Sequence, residues 1–228
     1  MPRPPRTTDR WLLGASLLLL ILVAWSYAFW DRAVAEWAFH LPRSWANTAR
    51  RLSGLGEGAY WMVLVFAIGV TAVVRKRPAV AVWAGKTFLA IAGAGIVANV
   101  LKVVAGRARP RALDSGVWGF HFLEFGYRFN SFPSGHAAIA AAVAASVWLA
   151  RPAAWPLATA LWLALAGGRV LTGSHFVSDV LAGGAVGIAV LVLVERWSRL
   201  EGLLGRFGAA GGKQSTAVQE AGSETPDP

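Results

Sequence analysis

The chain has 228 residues, of which 56% are hydrophobic and 15% charged, and it contains no cysteine. So little polar side chain cannot cover a water-soluble domain of this size, and the absence of thiols excludes disulfide frameworks, thiolate metal sites and a cysteine nucleophile. The net charge of +10 lies in short basic knots rather than one stripe. This reads as membrane topology and anionic-lipid contact, and it argues against a nucleic-acid partner.

Apolar runs at roughly 11–30, 59–74, 79–101, 136–150, 153–167 and 176–194 predict helices. A membrane span takes about 20 apolar residues, with a working range of about 17–25, so the second, fourth and fifth runs must borrow flanking residues. The expected fold is all-α, a six-helix transmembrane bundle. Arg3, Arg6 and Arg10 before the first run, and Ala33-Val34-Ala35 after it, resemble a signal peptide. The run is longer than the roughly 7–15 residues of a signal core, and it is read as an anchor.

Residues 31–58 mix Trp37, Phe39 and Trp45 with Arg50 and Arg51, which suggests an interfacial segment between the first two spans, with an ordinary loop as the alternative. Arg75-Lys76-Arg77-Pro78 is a tight basic turn, and residues 103–135 form a long loop. Gly183 and Gly187 are spaced for close helix packing. Several of the twelve tryptophans, among them Trp11, Trp30, Trp61, Trp83, Trp155 and Trp197, sit near span ends as an interfacial belt would. One integral membrane domain is expected over 1–207, followed by a disordered polar tail over 208–228.

If six spans alternate, the ends of the third and fifth and the starts of the fourth and sixth face one side. Those four places hold every cluster suited to phosphate. Lys102 and Arg109 close the third span, with Gly106 and Pro110 ending the helix between or after them. Lysine offers a point charge and arginine a planar fork for two phosphate oxygens. Pro133-Ser134-Gly135-His136 opens the fourth, where free amides, a Ser134 hydroxyl and the bare Gly135 form an anion cradle with His136 at its mouth. Arg169 closes the fifth. His175 and Asp179 open the sixth, four residues apart on one helical face, so the carboxylate can orient the imidazole and leave its other nitrogen as nucleophile. A charge such as Asp179 in an apolar helix costs about 2.5–3.5 kcal/mol on insertion scales and calls for a purpose. His40 and His121 lack such partners and are read as structural.

Lys102–x6–Arg109-Pro110, Pro133-Ser134-Gly135-His136 and Arg169–x5–His175–x3–Asp179, in that order, resemble the three-part signature of the type-2 phosphatidate phosphatase superfamily. The similarity runs from about residue 54 to 195. It departs at Gly168, where the family often has serine. The resemblance implies that His175 attacks phosphorus to form a phosphohistidine, with Asp179 orienting it. His136 protonates the leaving group and then activates water. Lys102, Arg109, Arg169, Ser134 and the Gly135 backbone hold the phosphoryl oxygens, with no cofactor and no metal.

The implied substrate is a lipid phosphate or diphosphate, with undecaprenyl diphosphate or a glycerophospholipid phosphate favoured. A lipid phosphotransferase using the same phosphohistidine, and a non-catalytic lipid or anion transporter, are the alternatives at this point. The dense 75–77 turn marks the cytoplasmic side, which puts the site on the exoplasmic face of the cell membrane and both termini in the cytoplasm.

Overall fold

The computed structural model describes residues 6–199, and these form an all-helical protein. The expected tail at 208–228 lies outside the described residues. In chain order the helices are α1 (Arg6–Phe29), α2 (Asp31–Phe39), α3 (Arg43–Gly54), α4 (Gly58–Val74), α5 (Pro78–Ala105), α6 (Gly135–Ala150), α7 (Trp155–Leu171) and α8 (Val177–Arg199). Five stretches are long and apolar enough to cross a membrane: Arg10–Phe29, Arg43–Val74, Pro78–Ala105, Pro152–Leu171 and Val177–Arg199. Helix α6 is apolar but has only 16 residues.

Each apolar run lands on a helix, but two helices run further than their hydrophobicity. Helix α5 continues to Ala105 and α7 to Leu171, so Lys102 and Arg169 sit in last turns, where a cation complements the helix dipole. Helix α5 stops at Gly106, whose φ of 54° is left-handed and whose missing Cβ would lie 1.9 Å from the His121 carbonyl oxygen. Lys102 and Arg109 therefore do not share a helical face; Arg109 belongs to the loop.

Residues 31–58 fold as two short helices rather than a plain loop. Helix α3 turns Ala49 and Ser53 inward and leaves Trp45, Leu52, Leu55, Arg50 and Arg51 exposed. The helices are lined inside by small residues and coated outside by large apolar ones. Ala84, Ala90, Ala94 and Ala98 of α5, and Ala137, Ala138, Ala141 and Ala142 of α6, are buried. Leu17, Ile21, Val63, Phe66, Leu89 and Ile96 are exposed. Small inward residues let helix backbones approach closely where lipid removes the hydrophobic drive to associate. Trp83 departs from the expected belt: it turns inward and donates its indole N–H to the Ser146 carbonyl at 3.1 Å.

Helices α6 and α8 cross at backbone contact. A Cβ on Gly183 would stand 2.3 Å from the Ser134 carbonyl oxygen, and one on Gly187 would stand 2.0 Å from that of Ala138. The glycine pair is thus a packing device, and it presses the start of α6 against α8 beside Asp179. Gly187→Ala is expected to force the two backbones apart and lower the melting temperature in detergent by about 3–10 °C, as overpacking of about 1–3 kcal/mol implies. Gly85→Ala, where a Cβ meets nothing within 4 Å, serves as the neutral control in the same melt.

Candidate active site

The site is assembled where α5 and α7 end and α6 and α8 begin, with the loop 106–134 folded over them. That loop carries two short 3₁₀ turns, Pro110–Ser115 and Tyr127–Phe129, and pairs Arg107 with Phe120. It is held by an aromatic cluster, Trp118 and Phe120 packing on Tyr27 of α1 and Trp118 on Phe176, and by backbone hydrogen bonds to α8 and within the loop. The Ser134 amide donates to the Asp179 carbonyl at 2.9 Å, and the Ser131 amide donates to the Arg107 carbonyl at 3.1 Å.

His175 is buried in the turn before α8. Its Nδ1 lies 2.8 Å from the Ser131 carbonyl oxygen. A carbonyl only accepts, so Nδ1 carries the proton and Nε2 keeps the lone pair. Helical spacing assigns this orienting role to Asp179, but the nearest Asp179 oxygen is 3.6 Å from Nδ1, outside hydrogen-bond range. The Asp179 carboxylate is occupied elsewhere. Its Oδ2 accepts from the Ser131 hydroxyl at 2.5 Å and the Phe176 amide at 2.8 Å, and its Oδ1 accepts from Arg107 Nη1 at 2.5 Å. Burial pushes the His175 imidazole down to about 4, with Asp179 opposing the shift and Arg109 and Arg169 adding to it.

Ser134 occupies the N-cap position of α6 without capping it. Its side chain makes no cap hydrogen bond, and its hydroxyl is wholly buried with no partner. Ala138 is the first residue of α6 whose amide reaches an intrahelical acceptor, the Ser134 carbonyl at 3.0 Å, so the amides of Gly135, His136 and Ala137 precede the ladder. Lys102 aims at this end: a Cβ on Gly135 would lie 3.4 Å from its Nζ. Arg169 has a buried Nε with no partner, while its carbonyl accepts the amides of Ser174 and His175. Unpartnered buried donors at a helix start form a site prepared for an anion.

Arg109 is held differently. Its Nε donates to Tyr127 O at 2.8 Å, Nη1 to Ser174 O at 2.9 Å and Nη2 to Asn130 O at 3.2 Å, under the Tyr127 ring. Burial lowers its pKa, though a guanidinium remains charged. Three of its five N–H groups are used on backbone, and two remain.

His136 follows Gly135 in the first turn of α6, half-buried beneath the α3–α4 turn, where a Cβ on Gly56 would lie 3.8 Å from its Cδ2. At Gly168, a Cβ would stand 2.9 Å from both Ala49 O and Ser53 Cβ, so the backbone of α3 fills the space a serine would need. His121 packs its ring on Phe129, 5.1 Å between centroids.

Two residues of the site, Arg107 and Asp31, belong to none of the sequence motifs. Arg107 is fully buried and reaches Ser178 Oγ at 2.6 Å, Asp179 Oδ1 at 2.5 Å and Asp31 Oδ2 at 2.7 Å. Asp31, also buried, accepts from Ser26 Oγ and the Ser178 amide, each at 2.9 Å, and from the Ser178 hydroxyl. The rings of Tyr27, Trp118, Phe120, Phe132 and Phe176 surround the guanidinium, with centroids 4.5–5.9 Å from its central carbon. The only sequence signal is that Arg107 stands two residues before Arg109.

The PAP2 superfamily model matches residues 83–202. Lipid A 1-phosphatase of Rhizobium etli is 33% identical over 180 residues, covering 72% of this chain and 75% of that protein. Decaprenylphosphoryl-5-phosphoribose phosphatase of Mycobacterium tuberculosis is 32% identical over 150 residues, covering 65% and 77%. Among solved structures, the first transmembrane PAP2 type phosphatidylglycerolphosphate phosphatase from Bacillus subtilis superposes with a TM-score of 0.61 at 24% identity, over 82% of this chain and 96% of that one. The chain belongs to the PAP2 superfamily: it is an integral membrane phosphatase of lipid phosphates.

Proposed function

We propose that this chain removes a terminal phosphate from a membrane lipid by a metal-independent route through a phosphohistidine on His175. The observation that carries this reading is the buried, unpartnered Ser134 hydroxyl at the start of α6. It stands among free amides, Lys102 Nζ and Arg169 Nε, in the same helix-end cluster as an imidazole whose Nδ1 is already committed to a carbonyl. Such donors are worth most where charge develops in the transition state.

His175 Nε2 attacks phosphorus as the bond to the lipid oxygen breaks, and that oxygen takes its proton from His136. Water then gives a proton to His136 and its oxygen to phosphorus; the P–N bond breaks and inorganic phosphate leaves. Asp179, 3.6 Å from the ring, stabilises the positive charge that the imidazole gains. Lys102, Arg169, Ser134, the amides at Gly135 and the two remaining N–H groups of Arg109 hold the equatorial oxygens.

By their names, one relative acts on the 1-phosphate of lipid A and another on decaprenylphosphoryl-5-phosphoribose, a sugar phosphate on a lipid carrier. A sugar-borne lipid phosphate therefore joins undecaprenyl diphosphate and the glycerophospholipid phosphates as a candidate substrate, and leads them. Six spans are inferred, α1 and α4–α8, with α2 and α3 in the interface. Helix α6 crosses despite its length because neighbouring helices cover it. The site faces the exoplasmic side and the termini the cytoplasm, one membrane domain running to about residue 207.

Phosphate release from lipid A, undecaprenyl diphosphate, phosphatidylglycerophosphate and dioctanoyl phosphatidate, in excess chelator, tests this. Turnover should persist with chelator and fall at least about 10³-fold in His175→Ala. Full dependence on a divalent ion, or phosphate appearing on an added acceptor lipid rather than in solution, contradicts it. Ser134→Ala should lower kcat by about 10²-fold, as loss of an oxyanion donor does. The melting temperature should stay unchanged, because the hydroxyl has no protein partner to lose.

The ring's protonation gives a further check. His175 is pushed to about 4, below its unfolded value, so the unfolded chain binds more protons between the two. Stability is fully present above about pH 6.5 and is lost as pH falls toward about 4. In ¹⁵N-histidine NMR at pH 5.5, His175 should be neutral with the proton on Nδ1; an imidazolium signal there would contradict this.

A further inference from the structure

From the buried chain Asp31–Arg107–Asp179 we infer that Asp31, at the junction of α1 and α2, is a positioning residue of the active site. It lies outside the 83–202 region that matches the family, and it touches none of the groups given to phosphate. It acts through Arg107.

Arg107 spends Nη1 on Asp179 Oδ1 and Ser178 Oγ and Nη2 on Asp31 Oδ2, all at full burial. Without Asp31 the Nη2 side would face only aromatic rings. A buried cation short of hydrogen bonds tilts toward its remaining carboxylate. That carboxylate also accepts the Ser131 hydroxyl on Oδ2, and the carbonyl of the same Ser131 holds His175 Nδ1. A displacement of Asp179 is therefore passed through Ser131 to the nucleophile.

Asp31 also grips the start of α8 through the Ser178 amide and hydroxyl. It thus sets the carboxylate's position from both the guanidinium and the helix. Lysine could not replace Arg107, because only a planar fork reaches two carboxylates and a hydroxyl at once.

This inference rests on the reading of His175 as nucleophile, and the experiment separates the two. The full chain in detergent micelles is assayed on dioctanoyl phosphatidate, with ¹⁵N-histidine NMR recorded on the same samples. Asp31→Asn should lower kcat about tenfold with KM within twofold, and Asp31→Glu should recover part of the loss. Arg107→Lys should behave like Asp31→Asn. In the NMR spectrum, Asp31→Asn should replace the single Nδ1–H tautomer of His175 by a mixture; this readout needs no turnover and stands if the lipid is not hydrolysed.

Should Asp31→Asn fail to fold, Ser178→Ala keeps both carboxylates and is expected to lower kcat about threefold with the same spectral change. A kcat within twofold of wild type in Asp31→Asn, or an unaltered His175 tautomer in whichever variant folds, overturns the inference. So does a loss matched by Val65→Ala, a truncation in the separate buried cluster of α4, α5 and α6, at equal fall in melting temperature, since that would be stability alone.

Discussion

The site depends on one close approach, that of the α6 start to the side of α8. Without side chains at Gly183 and Gly187, the Ser134 and Ala138 carbonyls can sit almost on the α8 backbone. The Ser134 amide then reaches the Asp179 carbonyl. The helix opening that offers free amides is thereby fixed beside the turn that carries His175. Two helices held at this distance by backbone atoms leave no room for a flexible joint between that opening and the imidazole.

Charge is the second constraint. Cations and carboxylates beneath apolar surface are tolerated when each is paired or when its free donors serve a ligand. Arg107 takes the first solution, and the proposed function gives Arg169 the second. Arg107 is paired through both terminal nitrogens with two carboxylates and a hydroxyl inside a cage of rings, and its Nε alone is unpartnered. Ser134 Oγ and Arg169 Nε are left unsatisfied.

Much of this is legible in the residues. Hydrophobic runs mark the helices because lipid-facing surfaces need large apolar side chains. The parity of the motifs marks one end of the bundle because each motif adjoins a helix terminus. Gly106 announces its helix stop through the left-handed turn it makes. What stays hidden has a common cause. The partner of His175 is a backbone carbonyl, and any residue at 131 would supply one. Asp31 and Arg107 are 76 positions apart, and no periodicity links residues at that separation. Asp179 stands at helical spacing from His175, which suggests a direct bond. Spacing gives proximity, but competition among donors decides which acceptor is taken. At Gly168 the departure from the family pattern is visible in the sequence, whereas its reason, the α3 backbone, is not.

Arg109 is a cation anchored on backbone. Its guanidinium grips carbonyls from residues 127, 130 and 174 at once, stapling the loop over the site to the turn before α8. A group held at three points has little freedom to swing. Under the proposed function, a headgroup would meet this cation already in place, with the loop and the turn held at their spacing by the same guanidinium.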